Sequence, residues 1–274
     1  MGEAGGRAEP GEAAPADPEA PPLLDPRARR LLRLAPVVAV PLGVALAVLG
    51  APLADVLLLP LVVGVLPVLA VAQAVALRDE PIERLPAYAS TVLSLAVLTA
   101  LCVAAAWSRG ADLLGLRPLP WEAFAVWTAG LTGAGLAIMG AFRLAAGRLG
   151  LRENPFLRHL LPRSAGEKAA FVGVSFSAGI GEELVFRGYV LGALIPVVGT
   201  AGAVLLSTVS FAFAHAYQGV LGLLRTGILG AVLAWYVLAS GSLLPAMAAH
   251  TLLDLLAGIV LADRLMVPDR PSRV

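Results

Sequence analysis

The chain has 274 residues, of which 58% are hydrophobic and only 14% are charged. A soluble domain averages roughly 45–50% apolar and about 25% charged residues, and the apolar excess here lies in long runs almost free of charge. Such runs are typical of bilayer-spanning segments, so we expect an integral membrane protein. The net charge of +1 gives no indication of a nucleic-acid partner, and the single cysteine, Cys102, allows no disulfide framework.

The expected fold is all-α: a polytopic membrane helix bundle with about eight transmembrane helices. Residues 1–30 precede it as an acidic, Pro- and Ala-rich stretch with no apolar signal-peptide core, which predicts a disordered tail. The second apolar run contains Pro60 and Pro67, which predict a kink. The eight apolar runs cover about residues 33–51, 54–77, 87–107, 121–142, 168–193, 201–217, 219–239 and 243–262.

The distribution of Lys and Arg predicts the orientation in the membrane, because cytoplasmic loops are enriched in these residues. Four arginines lie in 27–33, six basic residues in 143–168 and three arginines in 264–273. With eight spans, all three groups fall on one side, and only Arg109 and Arg117 fall on the other. We therefore expect both termini to be cytoplasmic.

Ionisable residues inside the apolar runs are the most informative feature, since each costs about 2.5–3.5 kcal/mol on insertion scales. In the N-terminal half, Asp55 and Glu122 lie near expected helix starts and favour a capping role. The C-terminal half has more ionisable residues in its apolar runs, and of these only Arg225 is expected to extend to the membrane interface. Its apolar runs contain Glu182, Glu183, Arg187, His215, Arg225, His250 and Asp254.

Helical spacing separates the two adjacent glutamates. Glu183 and Arg187 are four residues apart and can pair on one face, whereas Glu182 is offset by about 100° and can face a cavity. His250 and Asp254 are also four residues apart, so that the carboxylate can orient the imidazole or help it to hold a water.

His215 lies on a third helix, and packing the three polar faces together would bring all of these groups to one place. A desolvated carboxylate beside imidazoles favours a glutamate-activated water that attacks an amide. Zinc held by ligands from His215, His250, Glu182 and Asp254 is the alternative, although the chain lacks an HExxH sequence. Taken singly, the same groups also fit a structural ion pair or a proton relay.

Three segments resemble the motifs of the CAAX protease and bacteriocin-processing (Abi) family. Residues 182–188 (EELVFRG) resemble its EExxxR motif, residues 211–215 (FAFAH) its FxxxH motif, and residues 250–254 (HTLLD) its HxxxN or HxxxD motif. They occur in the expected order on three successive apolar runs. The resemblance covers about residues 112–262, beginning at the Leu113–Arg117 stretch, and no known motif covers the preceding spans.

The resemblance implies an all-helical intramembrane peptidase related to the Ras-converting CAAX endopeptidase. It implies that Glu182 activates water, that His215, His250 and Asp254 position water and oxyanion, and that Glu183 and Arg187 shape the site. Asp254 departs from the Asn that is commoner in the family, which leaves metal dependence open. The CAAX activity itself is not implied, because the family has bacterial members without prenylated substrates.

The resemblance also divides the chain. We expect N-terminal transmembrane helices in 31–110, a protease core in 111–262 with the catalytic cluster in its C-terminal helices, and a cytoplasmic tail in 263–274. The expected partners are membrane lipids and a peptide or membrane-protein substrate. A non-catalytic immunity module that sequesters a peptide and a proton-coupled transporter are the alternatives.

Overall fold

The computed structural model describes residues 25–77, 82–151 and 154–261. Residues 1–24 of the expected first tail, the whole of the expected C-terminal tail and Arg152 of the basic loop lie outside these ranges. Every regular element within the described ranges is helical, and six of these helices are long and apolar enough to cross a membrane. The prediction of an all-α polytopic bundle is therefore confirmed.

The helix bounds follow the predicted runs, with a short additional helix, α5, at Pro155–Leu160 before the longest helix. That longest helix, α6, has 50 residues and contributes two of the eight predicted runs. The remaining run is a shorter apolar helix, α8. The bounds are α1 Pro26–Val48, α2 Leu53–Ala76, α3 Arg84–Arg109, α4 Trp121–Leu149, α6 Ala165–Ala214, α7 Gly219–Ser240 and α8 Leu244–Val260.

Helix α6 is broken at Gly199, which has φ 73° and ψ 169°. A positive φ of this kind is readily available only to glycine. The break separates an arm α6a (165–198) from an arm α6b (200–214). The second arm folds back along the first, since the Ser207 hydroxyl donates to the carbonyl of Phe186 at 2.8 Å. Two successive spans therefore arise from one helix in sequence.

The start of α6 is fixed by a reciprocal cap. The Ser164 hydroxyl accepts from the backbone N–H of Glu167, and the Glu167 carboxylate accepts from the backbone N–H of Ser164. This arrangement satisfies backbone donors that would otherwise have no partner at the helix N-terminus. Arg84 at the start of α3 pairs with the same glutamate at 3.3 Å, which ties the ends of the two helices together.

The predicted kink in α2 takes the form of a π-helical turn at Pro60–Val65. The predicted capping role of Asp55 is wrong, because Pro52 precedes the helix and no side chain caps it. The Asp55 side chain is instead buried between helices. It pairs with Arg109 of α3 and accepts a hydrogen bond from the Tyr189 hydroxyl of α6a at 2.9 Å, so α2, α3 and α6a meet at one carboxylate.

Small residues allow α6a and α8 to pack closely. A Cβ on Gly179 would lie 2.1 Å from the Thr251 hydroxyl oxygen and 2.6 Å from the Thr251 backbone nitrogen. Close approach at small residues is a common way in which membrane helices associate, because lipid supplies no hydrophobic drive between them. This crossing holds His250 of α8 against the middle of α6a, where the candidate site lies.

Candidate active site

The site is built around a second π-helical turn, at Glu183–Val190 in α6a, and every residue of this turn is buried. A π-turn inserts a local irregularity into an α-helix and is frequent at functional sites. Glu182 directly precedes the turn. The two adjacent glutamates therefore lie where the helix changes its geometry, which directs their side chains to different neighbours.

Glu183 is fully enclosed and has two partners. Its Oε1 accepts from Arg187 at 2.8 Å and lies 2.9 Å from His250 Nδ1. Arg187 is also fully enclosed, with its guanidinium carbon 3.9 Å from the centroid of the Phe211 ring, a cation–π geometry. The predicted pair is thus present, and it also anchors the imidazole of α8.

Glu182 faces the opposite way, towards an open space in the bundle. Its Oε2 lies 3.6 Å from His215 Nε2 and 3.8 Å from His250 Nε2. Asp254 Oδ2 lies 3.9 Å from the same His250 nitrogen. These separations are too long for direct hydrogen bonds. They are also shorter than the roughly 4.5 Å between two atoms that one water bridges at ordinary hydrogen-bond lengths, so a water would lie beside these groups and not between them.

The hydrogen bonds of the two histidines define their tautomers. His215 Nδ1 lies 2.8 Å from the Phe211 carbonyl oxygen, and His250 Nδ1 lies beside the Glu183 carboxylate. Both neighbours are acceptors, so we assign a proton to each Nδ1. In the neutral imidazoles, both Nε2 atoms then direct a lone pair towards the space beside Glu182.

This assignment changes one expectation about orientation. The i, i+4 spacing predicted that Asp254 orients the His250 ring or helps it to hold a water. The Asp254 oxygen is 3.9 Å from His250 Nε2, too far for a hydrogen bond that would orient the ring. The closer carboxylate is that of Glu183, at 2.9 Å. The orientation of His250 is therefore set from α6a, across the helix interface.

Two cavities adjoin Glu182. One has a volume of about 240 Å³ and extends towards α4, α7 and α8, with Asp254 in its wall. The other, of about 400 Å³, extends towards α2 and α3, with Gln73 in its wall. Glu182, His215 and Tyr217 line both cavities, so the polar cluster lies at their common boundary.

All six predicted site residues come together at this boundary or directly behind it. The 240 Å³ cavity is lined by Glu182, His215, His250 and Asp254, and the buried Glu183–Arg187 pair supports them. Their proximity does not test catalysis, so the catalytic roles of these residues stay a prediction.

Sequence reasoning did not place Tyr217, Gln218, Arg225 and Thr226 in the wall of the 240 Å³ cavity. Arg225 was expected to extend to the membrane interface, but its Nη2 donates to Gln218 Oε1 at 3.3 Å within the cavity wall. The sequence did contain one signal for Tyr217 and Gln218. They follow His215 closely, in a polar connection between two apolar helices.

The donor set has the chemistry of a zinc site, since it combines two imidazole Nε2 atoms with carboxylates. In the described part of the chain, however, no group of three His, Cys, Asp or Glu residues is arranged so that it could hold a metal ion. The question of zinc stays open to measurement.

Comparison with known proteins places these residues in a family. Residues 165–256 match the model of the family described as Type II CAAX prenyl endopeptidase Rce1-like. The match begins at the first residue of α6, extends into α8 and includes all three motifs. It confirms, for this segment, the resemblance to the CAAX protease family that the motifs predicted. The six membrane-length helices of the described residues make the protein a multi-pass membrane protein. Neither the curated proteins nor the solved structures gave a match.

Proposed function

We propose that the protein is an intramembrane endopeptidase in which Glu182 activates the attacking water. The observation that carries this proposal is the unequal engagement of the two adjacent glutamates. Glu183 is hydrogen-bonded to Arg187 and His250. Among the residues that the structure describes, Glu182 Oε2 has no hydrogen-bond partner, and it lies 3.6 and 3.8 Å from two imidazole nitrogens. A buried polar atom without a partner at a cavity wall calls for a functional explanation.

A water beside these groups would donate one hydrogen to the Glu182 carboxylate and the other to the Nε2 lone pair of His215 or His250. Its remaining lone pairs would then be directed at a peptide carbonyl carbon in the adjoining cavity. As the O–C bond forms, Glu182 accepts a proton from the water and the carbonyl π electrons move to oxygen. Collapse of this intermediate breaks the C–N bond, and the proton on Glu182 passes to the leaving nitrogen.

The buried pair has a supporting role in this scheme. Glu183 holds the proton of His250 on Nδ1, which keeps the Nε2 lone pair available to the water. Arg187 compensates the charge of Glu183, which would otherwise be buried without a counter-ion. Neither residue faces the cavity, so both act through His250 and through the shape of the π-helical turn.

The substrate in this proposal is a peptide or a membrane-protein segment that enters from the bilayer or from the cytoplasmic side. The family description names CAAX prenyl endopeptidases, which makes prenylated CAAX peptides the first substrates to test. Unmodified peptides are tested beside them, because the apolar cavity walls are also compatible with ordinary hydrophobic side chains.

The test uses the purified protein and its Glu182→Ala and His215→Ala variants with these two peptide sets. We expect the native protein to cleave at least one peptide and both variants to lose that cleavage. Unchanged cleavage by the Glu182 variant would refute its role as the base. Tight binding of peptides without any cleavage by the native protein would favour a sequestering module.

A second arm of the same experiment addresses zinc. The metal content of the pure protein and its cleavage rate are measured with and without a chelator. The water mechanism described above expects less than one zinc per chain and an unchanged rate after chelation. Stoichiometric zinc together with a loss of cleavage on its removal would contradict it.

A further inference from the structure

Stabilisation of the oxyanion is the part of the chemistry that the six predicted residues supply least well. Glu182 and Asp254 are acceptors as carboxylates. Both histidines carry a proton on Nδ1 and direct it away from the cavity, to Phe211 O and Glu183 Oε1 respectively. Peptide hydrolysis needs hydrogen-bond donors aimed at the developing oxyanion. Such a donor must therefore come from another residue of the cavity wall.

Tyr217 is a hydrogen-bond donor at the common boundary of the two cavities, because it lines both of them together with Glu182 and His215. Its ring centroid is 5.9 Å from that of His215. Two contacts fix its position: Asn154 Nδ2 donates to the Tyr217 carbonyl at 2.8 Å, and the Phe156 ring meets the tyrosine ring edge-on with the centroids 6.5 Å apart.

The neighbouring amide determines what the tyrosine hydroxyl can do. Gln218 Oε1 is near two donors, Arg225 Nη2 at 3.3 Å and the Thr226 hydroxyl at 3.4 Å. A guanidinium can only donate, so the amide oxygen must face Arg225 and the amide nitrogen must face the other way. That nitrogen lies 3.4 Å from the Tyr217 hydroxyl oxygen, which therefore acts as the acceptor of this contact.

A hydroxyl that accepts from one neighbour keeps its own proton for another acceptor. The contacts of Gln218 with Arg225 and with Tyr217 therefore leave the Tyr217 O–H free to donate to a different acceptor. The Tyr217 side chain borders the cavities where a substrate carbonyl would lie. We propose that Tyr217 is a catalytic residue that donates a hydrogen bond to the oxyanion, with Gln218 and Arg225 as positioning residues.

This inference rests on the proposed peptidase function and adds a group to it. In the attack step, the water oxygen bonds to the carbonyl carbon, Glu182 takes the proton and the carbonyl oxygen gains the π electron pair. The Tyr217 O–H bond stays intact and its hydrogen bond to that oxygen shortens. When the C–N bond breaks, the electron pair returns to the carbonyl and the hydrogen bond weakens again.

Tyr217→Phe removes the donor and keeps the ring between His215 and Phe156. We expect kcat to fall by about 10²–10³-fold with little change in KM, because removal of one oxyanion donor has an effect of that size. Tyr236→Phe is the matched control: this buried tyrosine packs on Trp127 and lines neither cavity. It is expected to leave kcat unchanged.

A binding measurement separates a catalytic role from a structural one. A peptide phosphinate carries a tetrahedral oxygen in place of the oxyanion, whereas the cleaved product peptide does not. In Tyr217→Phe, we expect the inhibition constant of the phosphinate to rise by the factor by which kcat/KM falls, as required of a transition-state contact. The inhibition constant of the product should stay unchanged. Equal weakening of both ligands would overturn the proposal.

Gln218→Glu tests the positioning residues without removing the tyrosine. A carboxylate can accept from Arg225 and also from the Tyr217 O–H, so it would draw the hydroxyl proton away from the oxyanion. We expect kcat of this variant to fall towards that of Tyr217→Phe, with a retained melting temperature. Full kcat in Gln218→Glu would overturn the positioning role.

Glu182→Gln, assayed in parallel, keeps the two proposals apart. If Glu182→Gln is inactive while Tyr217→Phe retains full kcat, the peptidase proposal stands and the tyrosine proposal fails. If Glu182→Gln retains full activity, the peptidase mechanism itself fails, whatever the tyrosine variant does.

Discussion

At the scale of single residues, the adjacent side chains of Glu182 and Glu183 differ in role because the helix directs them to different surroundings. Glu183 lies against Arg187 and His250 with no exposed surface, and its charge is compensated there. Glu182 is one residue earlier and borders the cavities. Of the two, only Glu182 borders a space that a substrate could enter, as the proposed general base must.

Arg187→Met tests the compensation of the buried charge. It leaves Glu183 buried with only an imidazole as partner, and breaking a buried ion pair from one side costs about 3–5 kcal/mol. We expect a lower melting temperature in detergent and a loss of cleavage. Arg148→Met, at an exposed position near the end of α4, is the control and should melt as the native protein does. An equal melting temperature for both variants would contradict the role of the pair.

The residue types and their spacing predicted the members of the site well but its hydrogen bonds less well. The i, i+4 rule identified the Glu183–Arg187 pair from the sequence alone. It also suggested that Asp254 orients His250, whereas Glu183 is nearer. Spacing along one helix reports neighbours on that helix only, and the contact between α6a and α8 depends on tertiary packing.

At the scale of elements, the site depends on how closely α6a and α8 cross. Gly179→Ala tests this crossing, because its Cβ would overlap the backbone nitrogen of Thr251 at 2.6 Å. A backbone atom cannot rotate aside, so the helices must separate next to His250. We expect a large loss of cleavage and a lower melting temperature.

Gly173→Ala is the matched control for that crossing. Gly173 lies on the same arm, and a Cβ there would meet nothing within 4 Å. Both substitutions raise helix propensity by a similar amount, roughly 1 kcal/mol in a helix interior. Gly173→Ala should therefore be neutral or stabilising and fully active. Similar behaviour of the two variants would show that the crossing is not tight.

The helices themselves were predictable from apolar runs, whereas their irregularities were only partly so. Pro60 predicted a distortion of α2, and the structure has a π-helical turn that begins there. No proline lies within the π-helical turn at Glu183–Val190, so the sequence carried no comparable signal for it. The apolar run from 168 to 217 was divided correctly near Gly199, where the structure shows a positive φ.

At the scale of the whole molecule, the cluster of Asp55, Arg109 and Tyr189, in which Asp55 and Tyr189 are buried, joins the N-terminal helices to the segment that matches the family. Tyr189 belongs to the π-helical turn that follows Glu182, and its hydroxyl donates to Asp55 of α2. The helices that precede the family match therefore contribute a fixed contact to the site. This contact gives α2 and α3 a structural function that no motif indicated.

Arg109→Leu tests that connection. The substitution leaves the Asp55 charge buried with one hydrogen bond, so we expect a lower melting temperature and weaker cleavage. In Asp55→Leu/Arg109→Leu both charges are removed, and a buried pair replaced by apolar residues is often tolerated. The double variant should recover part of the lost stability. If it melts lower than both single variants, the cluster is not acting as a coupled pair.

The orientation of the chain follows from the number of spans. If both arms of α6 cross the membrane, eight spans place both termini on the same side, which the basic segments predict to be the cytoplasmic one. Reporter fusions at the N-terminus, at the C-terminus and in the connection between α3 and α4 check this arrangement. We expect cytoplasmic signals from both termini and the opposite signal from the connection. Termini on opposite sides would contradict the eight-span fold.

The central claim is that Glu182, and not its neighbour, activates the water. Its most direct test is the single-turnover cleavage rate of Glu182→Gln, a variant of the same shape that cannot accept the proton. We expect the rate to fall by about 10²–10⁴-fold, the usual contribution of a general base, with an unchanged melting temperature and unchanged peptide affinity. Single-turnover cleavage at the native rate in this variant would contradict the account.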